Sequence, residues 1–326
     1  MRYRQLGRTG IRVSEIGFGA WGIGGAMWQG GDDERAHAAL AAALDAGCTF
    51  IDTALAYGNG HSERLIAKAL AGRREAVAIA SKIPPKNQAW PAKPGTPLAA
   101  AFPAEWVKRC AERSAEYLGR TVDLLQFHVW RDEWLAEPGW RAVETTLGGL
   151  VAAGVLRHVG ISVNDHAPAT ALEAVRHLDL VSSVQVIYNV FDRSPETELL
   201  PACRERQVGV IARVPFDEGG LTGKIVPGVT FPSGDWRQDY FKGDRPAQVA
   251  ERVAALQPVL LREAQSLPEG ALRFCLSHPA VSTVIPGMRT PEHARANCAV
   301  SDGRVLSAGL LEELKAHAWE RNFYAG

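Results

Sequence analysis

Short apolar runs alternate with longer segments of mixed character through most of the chain. The short runs lie at residues 16–20, 48–51, 77–81, 124–128, 158–162, 184–186, 209–212 and 282–285. Their length and their β-branched residues read as buried strands. Between them, residues 33–46, 62–71, 103–118, 140–153, 167–177, 196–206 and 267–277 read as helices, the first rich in Ala and Leu and ending at Gly47. A strand, a helix and the next strand in that order form a βαβ unit, and eight parallel strands of this kind predict a closed (β/α)8 barrel of the TIM type in the α/β class. The active site of such a barrel lies at the C-terminal ends of its strands. Ahead of the barrel, residues 3–6 and 11–14 alternate around Gly7-Arg8-Thr9-Gly10, which predicts a β-hairpin within residues 1–14. Two stretches break the repeat: 84–103, rich in Pro and Ala with Trp90, and 215–244, with Gly219-Gly220 and Gly223. Long loops at a functional face are more often lids or clamps than linkers, so residues 1–326 read as one barrel domain.

Composition narrows the partners. Lys and Arg number 36 and Asp and Glu number 36, so the formal charge is zero and there is no electrostatic footprint for nucleic acid or an anionic membrane. Cys48, Cys110, Cys203, Cys275 and Cys298 are scattered without a CxxC pair, which indicates neither a metal site nor a disulfide framework. The first residues lack the apolar core of a signal peptide and no apolar run approaches the length of a membrane span, so a cytoplasmic protein is expected.

Chemistry gathers at the strand ends. The run Phe50-Ile51-Asp52 ends on a carboxylate, and Tyr57 follows in the loop before Gly58-Asn59-Gly60. An ionised Asp at a buried strand end needs a cation. The next strand, 77–81, runs directly into Lys82, and the one after it ends on His128. Three consecutive barrel strands thus deliver Asp, Lys and His to one face, beside a phenol. Lys82 is expected to draw the Tyr57 pKa down from its ordinary value of about 10, Asp52 to hold Lys82 charged, and His128 to donate a hydrogen bond to a carbonyl oxygen. The set polarises and protonates an oxygen but contains no nucleophile; hydride from a nicotinamide is the natural one to supply from outside.

Phe50-Ile51-Asp52-Thr53-Ala54 with Tyr57-Gly58, the Ser81-Lys82 strand end, Leu125-Gln126-Phe127-His128 and Gly160-Ile161-Ser162, with the preceding hairpin, resemble the aldo-keto reductases over nearly the whole chain. The resemblance implies reduction of small aldehydes or ketones, with NADPH, less often NADH, bound without a Rossmann fold. It carries the catalytic tetrad to Asp52, Tyr57, Lys82 and His128. Ser162, Gln185 and Asn164 match carboxamide-binding positions, with Val163 where many members have Asn, and Arg213 falls where many have a ring-stacking Tyr; a guanidinium plane can also stack. Pro215, Phe216, Leu221, Gly223 and Lys224 match the pyrophosphate side, which makes 215–244 a cofactor-clamping loop. Gly287, Met288, Arg289, His293 and Asn297 match the adenosine end, where Arg289 suits a 2′-phosphate. Gly22-Ile23-Gly24-Gly25 reads as a flexible βα connection rather than a phosphate loop. Trp21, Trp28, Trp90 and Trp130 lie in or beside loops of the catalytic face and are candidate walls of an aromatic pocket. Two other classes compete: a redox-sensing regulatory protein, because β subunits of potassium channels resemble this family, and an aldolase-type barrel with Lys82 as Schiff base, which Asp52 opposes by keeping the amine protonated.

Overall fold

The computed structural model describes residues 1–25 and 32–325. The hairpin consists of β1 (Tyr3–Gln5) and β2 (Arg12–Ser14), paired antiparallel. Eight strands follow: β3 (Phe18–Gly19), β4 (Phe50–Asp52), β5 (Ala78–Ile83), β6 (Val122–Phe127), β7 (Leu156–Ser162), β8 (Val181–Ile187), β9 (Gly209–Arg213) and β10 (Val281–Val284). They pair in chain order and in parallel. Parallel bridges Ile16↔Val284 and Gly19↔Gly287 join the first strand to the last, so the sheet closes into the predicted barrel.

Period-two alternation sorts the strand residues into two apolar clusters. Ile51, Ile79, Leu125, Val159, Ile161, Val184 and Val186 belong to the larger one, which lies between strands and helices. Phe50, Ala78, Ala80, Leu124, Ile211 and Ile285 form the smaller one with Leu6 and Val13 of the hairpin segment. The hairpin therefore plugs the N-terminal end of the barrel. Its turn leaves no room for a side chain: Gly7 has φ +53°, and a Cβ there would stand 2.2 Å from the Gly209 nitrogen.

Most helices match expectation within a residue or two, as with Asp33–Asp45, His61–Leu70, Ala104–Leu118, Trp140–Ala152 and Leu267–Ser277. The segments expected at 167–177 and 196–206 each open in a 3-10 turn, Pro168–Ala171 and Ser194–Glu196, before Leu172–His177 and Leu199–Glu205. Unforeseen are Arg245–Leu260 and, after the last strand, Pro291–Ala299. The first buries Val249, Val253, Leu256 and Leu260 at helical spacing; Pro246 in its first turn and Pro258 in its last disguise it in the sequence. The stretch 215–244 is also not one long loop, because it contains a 3-10 segment, Asp217–Thr222, and a helical turn, Arg237–Tyr240. No helix among the described residues is long and apolar enough to cross a membrane.

Candidate active site

Above the apolar plug the inward positions turn polar. Asp52 ends β4, Lys82 is the fifth residue of β5, and Gln126 and Gln185 stand in β6 and β8. Lys82 Nζ donates to Asp52 Oδ2 at 2.6 Å and to the Thr53 carbonyl at 2.8 Å, and lies 3.3 Å from the Tyr57 hydroxyl. Three N–H bonds meet three acceptors, as an ammonium requires. The second oxygen of Asp52 accepts from Gln185 Nε2 at 2.6 Å and from Gln126 Nε2 at 3.4 Å. Gly160 gives this layer its space, since a Cβ there would be 2.5 Å from Ser183 Oγ and 3.1 Å from Gln126 Cγ.

His128 follows β6 directly, its N–H bonded to the Ile83 carbonyl at 3.0 Å. Its ring stands edge-on to Tyr57, centroids 5.7 Å apart, and edge-on to Trp90 at 4.6 Å. Burial, aided by Lys82 and Arg213, holds the His128 pKa well below the usual imidazole range, so the ring is neutral. Its Nδ1 is buried without a partner among the described residues. Burial also lowers the Lys82 pKa, against the pull of Asp52. For Tyr57 the expectation is reversed. Its pKa lies well above the ordinary value, because burial and then Asp52, with Glu218 and Asp165, outweigh Arg213. The phenol is a held proton rather than an incipient phenolate. It accepts from Lys82 and keeps its own O–H to give away, which is the state a proton donor needs.

Other expected residues divide. Ser162 ends β7 directly opposite Gln185 in register. Asn164 is buried and already engaged, Oδ1 accepting from the Trp130 N–H and Nδ2 donating to the Ala92 carbonyl, both at 3.3 Å; it ties loops together. Arg213 Nη2 donates to Asp165 Oδ1 at 2.7 Å and to the Val163 carbonyl at 3.0 Å, which fixes its plane at the end of β9. Pro215, Leu221 and Met288 are buried, Phe216 is half-buried, and Gly223 takes a left-handed φ of 74° before the exposed Lys224. Gly287 and His293 are exposed, Asn297 is buried, and Arg289 and His293 line a cavity of about 250 Å³ together with the Gly22–Gly25 connection.

The four tryptophans separate as well. Trp21 lies 6.5 Å from Tyr57 and 4.9 Å from Trp236, ring to ring, and Trp90 is 43% exposed over His128. Trp130 is fully buried among Phe127, Trp134 and Trp140, so as a wall of an open pocket it is corrected to a core residue. Trp28 lies outside the described residues. Sequence reasoning missed Gln126, which the period of two places on the same face as His128, and also Trp236 and Tyr324, stacked at 6.0 Å. Nothing local to residues 236 or 324 signals that they meet.

An Asp–Lys–Tyr–His cluster thus stands at the C-terminal ends of the early strands of a closed barrel. Residues 15–318 match the model of the Aldo/keto reductase family, and the chain belongs to that family, whose members are NAD(P)H-dependent oxidoreductases acting on small carbonyl compounds. It is 30% identical to "Aldo-keto reductase YhdN" of Bacillus subtilis over 91% of this chain and 87% of that protein. It is 28% identical to the "NADH-specific methylglyoxal reductase" of Escherichia coli over 98% of this chain and 100% of that one. The solved structure of the glycerol dehydrogenase AKR11B4 from Gluconobacter oxydans superposes with a TM-score of 0.77 at 25% identity, covering 97% and 94% of the two chains.

The residues present fit a nicotinamide dinucleotide. The cavity beside the last strand presents Arg35, Arg289 and His293 together with Asp32 and Asp33, a polar lining open to a charged group. The polar strand ends at Ser162 and Gln185 suit a carboxamide.

Proposed function

We propose that the chain is an NADPH-dependent carbonyl reductase in which Tyr57 is the proton donor. The observation that carries this reading is the buried Lys82 Nζ set between Asp52 Oδ2 and the Tyr57 hydroxyl. When bound, the nicotinamide cofactor supplies a hydride to the carbonyl carbon. As negative charge grows on the carbonyl oxygen, the Tyr57 O–H transfers its proton there, and Lys82, hydrogen-bonded to the same phenolic oxygen, stabilises the charge left behind. Asp52 keeps Lys82 in place and protonated. Neutral His128 offers an N–H to the carbonyl oxygen without competing for its proton. Trp21, 6.5 Å from the Tyr57 ring, and Trp90, 4.6 Å from the His128 ring, favour apolar or aromatic substituents on the carbonyl. The preference for NADPH rests on Arg289 in the cavity, a planar guanidinium that can meet two phosphate oxygens at once. Asp52 at 2.6 Å from Lys82 opposes Schiff-base chemistry.

Turnover with a panel of aliphatic and aromatic aldehydes, measured with each cofactor, tests the reading. Tyr57→Phe is expected to lower kcat about 100-fold or more while cofactor affinity changes little. Activity within a few-fold of the parent would remove Tyr57 from its assigned place, and absence of repeated turnover with every aldehyde would favour the sensing subunit.

A further inference from the structure

A second carboxyl lies behind the Lys82 strand. Glu63, in the first turn of the helix His61–Leu70, is 0% exposed and stands outside the group of side chains that meet at Lys82 Nζ. Glutamate is almost never fully buried unless it is paired, and an apolar side chain would fill the same space at less cost. Its Oε1 accepts from Ser81 Oγ at 2.6 Å, while Oε2 is buried without a hydrogen-bond partner among the described residues. Burial raises the Glu63 pKa; Ser81, and after it Ser114, Arg64 and Lys82, lower it. The contact to Ser81 is therefore the feature of this carboxyl that calls for a reason.

Alternation along β5 explains how the two meet. Lys82 points into the barrel, so Ser81 before it points outward, onto the helix. The neighbouring residue of the same helical turn makes a matching bond to the preceding strand end. Thr53 Oγ1 donates to Ser62 Oγ at 2.9 Å, and the Thr53 carbonyl is itself an acceptor for Lys82 Nζ at 2.8 Å. The Ser62 N–H bonds to the Tyr57 carbonyl at 3.3 Å. One helical turn is thereby bonded to the residue after Asp52, to the residue before Lys82 and to Tyr57 itself. The Tyr57 hydroxyl, at 3.3 Å, is the longest of the three Lys82 contacts and so the first to be lost if either side shifts.

We propose that Glu63 is a positioning residue for the proton donor: by holding Ser81 it fixes the helical turn to β5 and so keeps the Lys82 ammonium against the Tyr57 hydroxyl. The inference rests on the reading of Tyr57 as the proton donor. If Lys82 shifts from the phenolic oxygen, the charge left there by proton transfer loses its cation, which slows the chemical step and leaves the binding of cofactor and carbonyl compound as it was. The role requires an acceptor oxygen at this place rather than a charge. An amide of the same shape supplies it, and an apolar side chain of similar size does not.

Steady-state kinetics with NADPH and the aldehyde of the panel that the parent reduces fastest, with Tm measured alongside, test this on the parent, Glu63→Gln, Glu63→Leu, Ser81→Ala and Tyr57→Phe. Glu63→Leu and Ser81→Ala should each lower kcat about 10- to 100-fold and leave KM and the NADPH Kd within about threefold, because only the geometry of the proton transfer is lost. Glu63→Gln should keep kcat within about threefold of the parent, since its side-chain oxygen still accepts from Ser81. If folded Glu63→Leu and Ser81→Ala turn over at the parent rate, whatever their Tm, the inference is overturned, and an inactive Tyr57→Phe leaves the proton-donor reading standing. A Glu63→Gln as slow as Glu63→Leu also overturns it, since the charge and not the bond to Ser81 is then at work. Should Glu63→Leu fail to fold, Ser81→Ala decides alone. A fully active Tyr57→Phe, or a parent that reduces no aldehyde of the panel, overturns the proton-donor reading and the inference with it.

Discussion

Lys82 illustrates how one side chain can be both the centre of a site and a structural obligation. It is 1% exposed and its three donors are all used, on Asp52, Thr53 and Tyr57. Lys82→Met removes the charge and leaves Asp52 buried with only the amides of Gln185 and Gln126 as donors. Turnover should vanish, and stability should fall by about 3–5 kcal/mol in urea denaturation, because a buried carboxylate without its cation is strongly unfavourable. An active variant would refute the assignment, and an inactive one of unchanged stability would refute the burial argument. At this scale the sequence was legible wherever a strand end announced itself: Asp52, Lys82 and His128 were all found by position. Protonation was not legible. The elevated Tyr57 pKa depends on how much protein covers the phenol and on Asp52 outweighing Arg213, which no spacing reveals.

Between elements, the segment that follows Leu314–His317 is fastened to the loop after β9. Arg321 pairs with Asp217 and lies 4.0 Å above the Trp319 ring, while the Tyr324 hydroxyl donates to Glu218. Asp217 and Glu218 both take left-handed backbone angles, φ 51° and 56°, in the loop that carries Lys224. Burial pushes the Glu218 carboxyl up to about 7; Tyr324 and Arg213 pull it down, and Asp217 and Asp165 push it further up. A carboxyl whose folded pKa is raised contributes stability that is complete below its unfolded value of 4.5 and is lost as pH rises through about 7. Urea midpoints should accordingly decline from about pH 5 to about pH 8, and Glu218→Gln should flatten that decline. Parallel profiles for parent and variant would show that the carboxyl is better solvated than its surroundings suggest. The helix Arg245–Leu260 was legible in principle through its apolar spacing, whereas the fastening of residues 321–324 to residues 217–218 joins segments about a hundred positions apart and leaves no local trace.

Over the whole molecule, closure is the decisive event. The bridges from Ile16 to Val284 and from Gly19 to Gly287 bring the start and the end of the barrel together, and the hairpin seals its lower end through Leu6 and Val13. Gly7→Ala should therefore destabilise the fold by about 2–4 kcal/mol, since its Cβ would meet the Gly209 backbone and its φ is left-handed. Cofactor affinity of the folded fraction should be unchanged, because the plug is at the opposite end from the site; a variant as stable as the parent in denaturant titration would contradict this packing. The eight strands, most of the helices and the three strand-end residues of the site were determined by the sequence itself, because alternation and strand length report burial directly and a polar residue ending an apolar run points to the open end of a barrel. Tertiary structure alone decided that Trp130 is core, that Asn164 is a tie between loops, and that Arg35 shares a cavity with Arg289. Those outcomes depend on which segments, distant in the chain, closure makes neighbours, and a linear pattern records the face a residue occupies without recording what stands across from it.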